Sequence, residues 1–342
     1  MNLSQALHKT VHEGPLSRLE AHAVFASALG EGTDPAQLAG FLAALAVRGE
    51  TADEIAGAAD ALRGAMLPFE HPFPEAIDTC GTGGDGLCTF NLSTAAALVA
   101  AAAGARVVKH GNRAASSRCG SADLLEAVGL PLALSARAAR VVLEEVGITF
   151  LFAPAYHPAL RHAAPVRKAL GVRTVFNLLG PLVNPARPRR QLLGLGVGRC
   201  LPVLAEVLES LGVERGLVVH GAGGADELTL EGPNQAIGVG SEAPSVEGFD
   251  AHSLGLEPAP VAALRGGDAA TNLRLFERVL AGERGPLRDA VLLNASAALV
   301  VAGVAQGAPE GLERARAALD SGAASDRLKR WVVCARAVEG ER

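Results

Sequence analysis

The sequence predicts an α/β protein: a large α/β domain with a central, mostly parallel sheet, beside a smaller all-helical domain. Three observations carry this expectation. Residues 1 to about 67 repeat helix-start signals and helical spacing of apolar residues, Pro68 to Pro74 breaks that pattern, and short apolar strands then alternate with alanine-rich helices. In the first region, Ser17 with Glu20 and Thr51 with Glu54 have capping-box spacing, and Asp34-Pro35 puts a capping acid before a proline suited to the first helical turn. Leu38, Phe41, Leu42 and Leu45 share one helical face, as do Ile55, Ala59, Leu62 and Met66. After the break, 76–80, 105–110 and 217–220 read as strands, and 94–103, 122–128 and 202–211 as helices. Such alternation implies a parallel sheet covered on both faces, with ligand loops at the carboxyl ends of its strands. A basic helical segment, Arg161-His162-Ala163-Ala164-Pro165-Val166-Arg167-Lys168, interrupts the order and is placed to pack back on the first domain. From Asn272 onward the chain reads as helices, with 289–302 almost wholly apolar on its inner face. The expected division is 1–70 for the helical domain, completed by about 161–185, and 71–160 with 186–342 for the α/β domain.

Composition narrows the function. With 49% hydrophobic and 20% charged residues, the 342-residue chain can bury the cores of two ordinary domains. No window has the length of an uncharged apolar membrane span, and the start lacks a basic segment followed by an apolar core, so a cytoplasmic protein without membrane contact is expected. Cys80, Cys88, Cys119, Cys200 and Cys334 are odd in number and widely spaced without a CxxC pair, which predicts buried free thiols instead of a disulfide frame or zinc site. A net charge of −5 and few aromatic residues argue against a nucleic-acid partner.

The chemistry concentrates in two loops. Between Asp85 and Asp123 there is no acidic residue, while Arg106, Lys109, Arg113 and Arg118 supply positive charge with no acid in the interval to cancel it. Glycines that let the backbone approach an anion open this stretch in Gly81-Thr82-Gly83-Gly84-Asp85-Gly86, and it closes at His110-Gly111-Asn112-Arg113-Ala114-Ala115-Ser116-Ser117. A phosphate-bearing small molecule is the expected ligand. Gly81, Gly83 and Gly86 match the dinucleotide fingerprint GxGxxG, but the second strand ends in Lys109-His110, where a ribose-binding acid belongs. Thr89-Phe90-Asn91-Leu92-Ser93-Thr94 leads into an alanine-rich helix and sets hydroxyls and amides at its positive end, where a diphosphate fits. Ser93 serves there either as an N-cap or as a group facing a hydrated metal. Ser116, Ser117, Gly120 and Ser121 flank a second helix start, with Ser121 a natural cap. Asp226-Glu227 follows a strand and a glycine-rich turn; adjacent carboxylates on extended backbone point apart and suit two hydrated Mg²⁺ ions, or simply solvent. His110, His157, His162 and His220 lack metal-ligand spacing. Arg167, on the inserted segment, is either a surface arginine or a clamp that reaches a carboxylate across the cleft.

Taken in order, Gly81 to Gly86, Asn91 to Thr94, Lys109 to Ser117, Gly120-Ser121-Ala122-Asp123, Ala164-Pro165-Val166-Arg167, Asn177-Leu178-Leu179-Gly180-Pro181 and Asp226-Glu227 closely resemble the anthranilate phosphoribosyltransferase family. The resemblance implies a fold of the nucleoside phosphorylase and phosphoribosyltransferase type, with homodimers formed through the small domains. It implies transfer of the phosphoribosyl group of 5-phosphoribosyl 1-diphosphate to anthranilate in tryptophan biosynthesis. By the same resemblance Gly81, Gly84, Asp85, Thr89, Asn91, Leu92, Ser93 and Thr94 bind the donor, together with Lys109, His110, Gly111, Asn112, Arg113, Ala114, Ala115, Ser116, Ser117 and Ser121. Gly81, Asn112 and Arg167 meet anthranilate, and Ser93, Asp226 and Glu227 hold Mg²⁺. Two departures stand out. Cys119 replaces the family's small hydroxyl or alanine, and Tyr156 replaces a common histidine near the expected acceptor entrance. A pyrimidine nucleoside phosphorylase shares the architecture, but the stretches from Asp78 to Gly86 and from His110 to Arg113 point away from it. A non-catalytic nucleic-acid-binding relative is disfavoured by the presence of Arg167, Asp226 and Glu227 and by the negative net charge.

Overall fold

The structure, a computed structural model, describes residues 1–114 and 117–340. Four helices open the chain: α1 (Leu3–His12), α2 (Arg18–Ala28), α3 (Pro35–Arg48) and α4 (Ala52–Ala65). Their starts obey local chemistry. Ser17 and Thr51 accept the N–H groups of Glu20 and Glu54 in full capping boxes, and Asp34 accepts those of Ala36 and Gln37 ahead of α3. The apolar stripes read from sequence are buried.

Beyond the proline break come β1 (Ile77–Gly81), α5 (Leu92–Ala102), β2 (Val107–Gly111), α6 (Ser121–Val128), α7 (Ala136–Val146) and β3 (Ile148–Phe152). The chain then leaves the sheet through α8 (Ala153–Tyr156), a 3₁₀ turn at Pro158–His162, α9 (Ala164–Leu170) and α10 (Phe176–Leu179). It returns as β4 (Arg190–Gly194), α11 (Leu201–Ser210), β5 (Arg215–His220) and β6 (Gln235–Val239), and ends in α12 (Ala269–Leu280), α13 (Pro286–Val301), α14 (Ala308–Asp320) and α15 (Ala323–Val338). Among the described residues, the six strands form one sheet in the order β3-β2-β1-β4-β5-β6, parallel except for the antiparallel edge β5-β6. The expected fold class holds.

Alternation along the strands distributes the core. Leu192, Leu217 and Val219 join α5, α13 and α15 on one face, whereas Leu193 and Val218 face α11 and the helical domain. That second core runs from Leu3 through α1–α4 and includes Ala163, Val166, Val175, Phe176, Leu178 and Leu179. The inserted segment therefore packs with the N-terminal helices and hangs over the carboxyl ends of the strands. In strand order the chain reverses direction beside β1, and the crevice at such a switch point is where open α/β sheets bind ligands. The thiols are free, but only Cys119 is buried; Cys80, Cys88, Cys200 and Cys334 are partly exposed. No helix among the described residues is long and apolar enough to cross a membrane.

Candidate active site

A cleft of about 360 Å³ opens where β1 and β2 end, roofed by Arg167, Phe176 and Asn177 of the inserted segment. Its floor depends on missing side chains. A Cβ at Gly81 would lie 2.2 Å from Asp226 Oδ2, and one at Gly194 would lie 1.7 Å from the Asp226 carbonyl oxygen. Glycine at the ends of β1 and β4 thus lets the Asp226-Glu227 segment lie across the sheet. Gly83 and Gly84 take φ of +66° and +71° to turn the loop back, and the Gly83 N–H donates to Asp226 Oδ2 at 2.6 Å.

Three carboxylates converge. Glu227 accepts the Ser93 N–H at 2.8 Å and the Thr89 hydroxyl at 3.4 Å, while the Asp226 N–H reaches Asp85 Oδ2 at 3.5 Å. Burial, then repulsion from Asp85, raises the Asp226 pKa; burial, then repulsion from Asp226, raises that of Glu227. A cluster that resists holding its own charge is suited to a hard divalent cation. Among the described residues no three His, Cys, Asp or Glu side chains are set to hold a metal by themselves. Lys109 lies beneath, 2% exposed, with Nζ donating to the Thr79 carbonyl at 2.5 Å and to Ser93 Oγ at 3.4 Å.

The helix starts differ from the sequence reading. α5 begins at Leu92, so Ser93 is not its cap, and Asn91 in the cap position makes no side-chain capping bond. Instead Asn91 donates to the Cys119 carbonyl at 3.1 Å and accepts from Asn272 at 2.8 Å. The amides there are already engaged, Leu92 with Phe90, Ser93 with Glu227 and Thr94 with Asn91, so the Glu227 carboxylate occupies the helix end expected for a ligand anion. Ser121 is likewise not a cap. Gly120 precedes α6, Asp123 Oδ2 accepts the Gly120 and Ala114 N–H groups at 2.8 and 2.9 Å, and Ser121 Oγ donates to the Asn112 carbonyl at 3.3 Å.

The expected surplus of positive charge is also reduced. Arg113 pairs with Glu126 at 2.7 Å and Asp123 at 3.1 Å, acids on α6 that lie just past the acid-free interval but within reach in space. Arg106 points to the Leu143 and Glu144 carbonyls and covers Phe73, and neither it nor Arg118 lines the cleft. Apart from Leu92, which is buried at the start of α5, the described site candidates all line the cleft. Ala115 and Ser116 lie outside the described residues.

On the acceptor side, Arg167 is half-buried with its guanidinium 5.0 Å from the Phe176 ring centroid, and burial lowers its pKa. His110 contacts the Gly180 carbonyl through Nδ1 at 3.2 Å, and its ring lies 5.2 Å from that of His157. Burial pushes His110 down to about 3 and His157 to about 4, so both are neutral near pH 7. Tyr156 does not border the cleft: it packs edge-on against Phe69 in a core with Ala139 and Leu143, whereas His157 faces inward. Sequence reasoning missed Asp78 and Asn184, which anchor the end of β2 from below, and Arg173, which donates to the Gly83 and Gly84 carbonyls. None has a local signal, because each acts on chain remote in sequence.

Comparison with known proteins fits this geometry. Residues 73–325 match the glycosyl transferase family a/b domain, and residues 4–66 match the glycosyl transferase family helical bundle domain. Anthranilate phosphoribosyltransferase from Chloroflexus aggregans is 49% identical over 340 residues, covering 98% of this chain and 99% of its own. The crystal structure of anthranilate phosphoribosyltransferase from Thermus thermophilus is 48% identical with a TM-score of 0.90, covering 97% of this chain and 99% of its own. The Saccharomyces cerevisiae enzyme in complex with PRPP and Mg is 26% identical with a TM-score of 0.87, over 98% of both chains. In complex with 4-fluoroanthranilate it is also 26% identical over 98% of both chains, with a TM-score of 0.86.

Proposed function

The chain belongs to the anthranilate phosphoribosyltransferase family, and from that membership we propose how its own residues divide the work. It transfers the phosphoribosyl group of 5-phosphoribosyl 1-diphosphate to the amine of anthranilate, giving N-(5-phosphoribosyl)anthranilate and diphosphate in tryptophan biosynthesis. The observation that best supports the assignment of roles is the meeting of Asp226-Glu227 with the Gly83 and Ser93 amides, opposite Arg167.

The donor lies along Gly81, Gly84, Asp85, Thr89 and Asn91–Thr94, and is covered by the loop from Lys109 to Ser117 with Ser121. Ser93, Asp226 and Glu227 hold Mg²⁺, as two hydrated ions. When bound, the metal neutralises the diphosphate and stabilises the charge that grows on it as it leaves. Lys109 adds a fixed positive charge beneath the same group. Arg167 pairs with the anthranilate carboxylate, its fork held by the Phe176 ring, while Asn112 and the Gly81 backbone orient the ring. The amine nitrogen forms its bond to the ribose anomeric carbon as the carbon–oxygen bond to diphosphate breaks, through a loose, oxocarbenium-like state, and the ammonium so formed gives up its proton to the departing diphosphate or to solvent. An aromatic amine is neutral at pH 7, so orientation matters more than a strong base, and no side chain is assigned as general base. The protein acts in the cytoplasm as a homodimer joined through the helical domains.

The test follows anthranilate fluorescence on mixing with 5-phosphoribosyl 1-diphosphate and Mg²⁺. Fluorescence should fall with equal release of diphosphate, and EDTA should stop both. Asp226→Ala and Glu227→Ala should each lower kcat/KM by at least about 100-fold with the fold intact by circular dichroism. Full turnover in either variant sinks the metal assignment.

A further inference from the structure

We infer that Arg173 is a positioning residue for donor binding: a tie from the inserted helical segment to the glycine loop, setting that loop against both the metal carboxylate and the acceptor arginine. The inference rests on the division of the cleft given above and adds a group that touches neither substrate, since Arg173 does not line the cleft.

Its geometry is specific. Arg173 Nη1 donates to the Gly84 carbonyl at 2.6 Å and the Gly83 carbonyl at 3.2 Å. Gly83 is therefore held from two sides, its N–H by Asp226 at 2.6 Å and its carbonyl by the guanidinium. Gly84 leaves the room for this approach: a Cβ there would fall 2.5 Å from Nη1, on backbone whose φ is +71°. Among the described residues no carboxylate forms a salt bridge with Arg173, so its charge is directed at backbone carbonyls beside the anion loop. A guanidinium on carbonyl oxygens makes charge-assisted bonds, stronger than neutral ones, and here a single nitrogen, Nη1, serves both carbonyls.

The other end of the tie is short. α9 carries Arg167, and its last turn closes with the Gly171 N–H donating to the Arg167 carbonyl at 3.3 Å. Gly171 caps the helix at φ +62°, and Arg173 follows two residues later. Moving Arg173 thus moves Arg167, so a single contact sets the acceptor arginine relative to the donor loop. Loss of the tie weakens binding of both substrates, because the protein must then restore that alignment when they bind.

The experiment measures steady-state kinetics of wild type, Arg173→Met, Gly84→Ala and the double variant, with KM determined for each substrate. Arg173→Met should raise KM for 5-phosphoribosyl 1-diphosphate by about 10-fold, raise KM for anthranilate with it, and lower kcat less than about 3-fold. A merely structural role lowers the active fraction, which reduces apparent kcat and leaves both KM values in place. Because Gly84→Ala displaces the same guanidinium, Arg173→Met introduced into that background should change the donor KM less than about 2-fold. Millimolar guanidinium should restore part of the donor KM in Arg173→Met. If Arg173→Met does not fold, Arg173→Lys takes its place in the cycle, with a smaller rise in both KM values expected because the charge is kept on a shorter side chain. Wild-type KM values in the Arg173 variant, or effects of the two substitutions that multiply independently, overturn the inference. Absence of turnover in the wild type would instead overturn the functional reading on which it rests.

Discussion

Asp78 and His157 show what burial does to single ionisable groups beside a site built for anions. Asp78 is wholly buried; its carboxylate accepts the His110 N–H at 3.2 Å and the Asn184 amide at 2.8 Å, so it supports the end of β2 that carries Lys109 and His110. Burial nevertheless pushes it from 3.8 up to about 6, against the pull of Lys109. Between those values the folded protein binds the proton more tightly than the unfolded chain, so this group makes stability fall as pH rises through the window. His157 has the opposite sign. Burial lowers it from 6.5 to about 4, the unfolded chain takes the proton first, and the stability present above 6.5 is lost as pH falls toward 4. One proton is worth about 1.4 kcal/mol per pH unit. His157→Gln should therefore flatten the loss of stability on acidification by about that slope, and Asp78→Asn should steepen it by a similar amount. Urea titrations at half-unit pH intervals measure both. An unchanged slope in His157→Gln would mean that the imidazole is not held neutral.

Helix α4 shows how one element carries information that is local and information that is not. The spacing of Thr51 and Glu54 announces the helix start, and the capping box forms as expected. The same Glu54 carboxylate also accepts the Leu16 N–H at 2.9 Å and pairs with Arg48, although it is wholly buried. Sequence spacing does not reveal that second use, because Leu16 lies 38 residues away. Glu20, in an equivalent box on α2, has a side chain 29% exposed and pairs with Lys9 near solvent. Glu54→Ala should cost about 3 kcal/mol, since it removes the capping box and leaves the buried Leu16 N–H without its acceptor, beside the loss of the Arg48 pair. Glu20→Ala should cost only about 1 kcal/mol. Denaturant unfolding of the pair tests this, and equal losses would refute the distinction. Elements without a local start signal were harder to read. β3, β4 and β6 are five-residue runs without caps or sustained alternation, and they become strands by pairing with distant chain. Ser93 and Ser121 look like caps because hydroxyls favour helix starts, but α5 begins one residue before Ser93 and α6 at Ser121 itself, where Asp123 supplies the capping oxygen.

At the scale of the whole molecule, the glycine loop and the loop after β2 were legible because each is continuous in sequence. What closes the site was not legible. Asp226 reaches Gly83 across 143 residues, and Arg113 turns to acids on α6 that the sequence places outside the acid-free interval. The surface carries one further consequence of the architecture. Among the described residues, six of the eight exposed large apolar side chains, Met1, Val11, Leu19, Val47, Leu67 and Val172, lie in or beside the helical domain and its inserted segment, which fits a partner face there. Leu19 and Val47 are 82% and 90% exposed, far more than packing within one chain requires. If these helices join two protomers, the particle in sedimentation equilibrium should have twice the 34.8 kDa chain mass. Leu19→Glu with Val47→Glu should halve it, because burying unpaired carboxylates costs several kcal/mol at an interface. If one protomer holds the whole cleft, the monomeric variant should retain turnover within a few-fold of wild type. A wild-type protein of chain mass would remove the dimer. A monomer without turnover would mean that the helical domain needs its partner to hold Arg167 over the sheet.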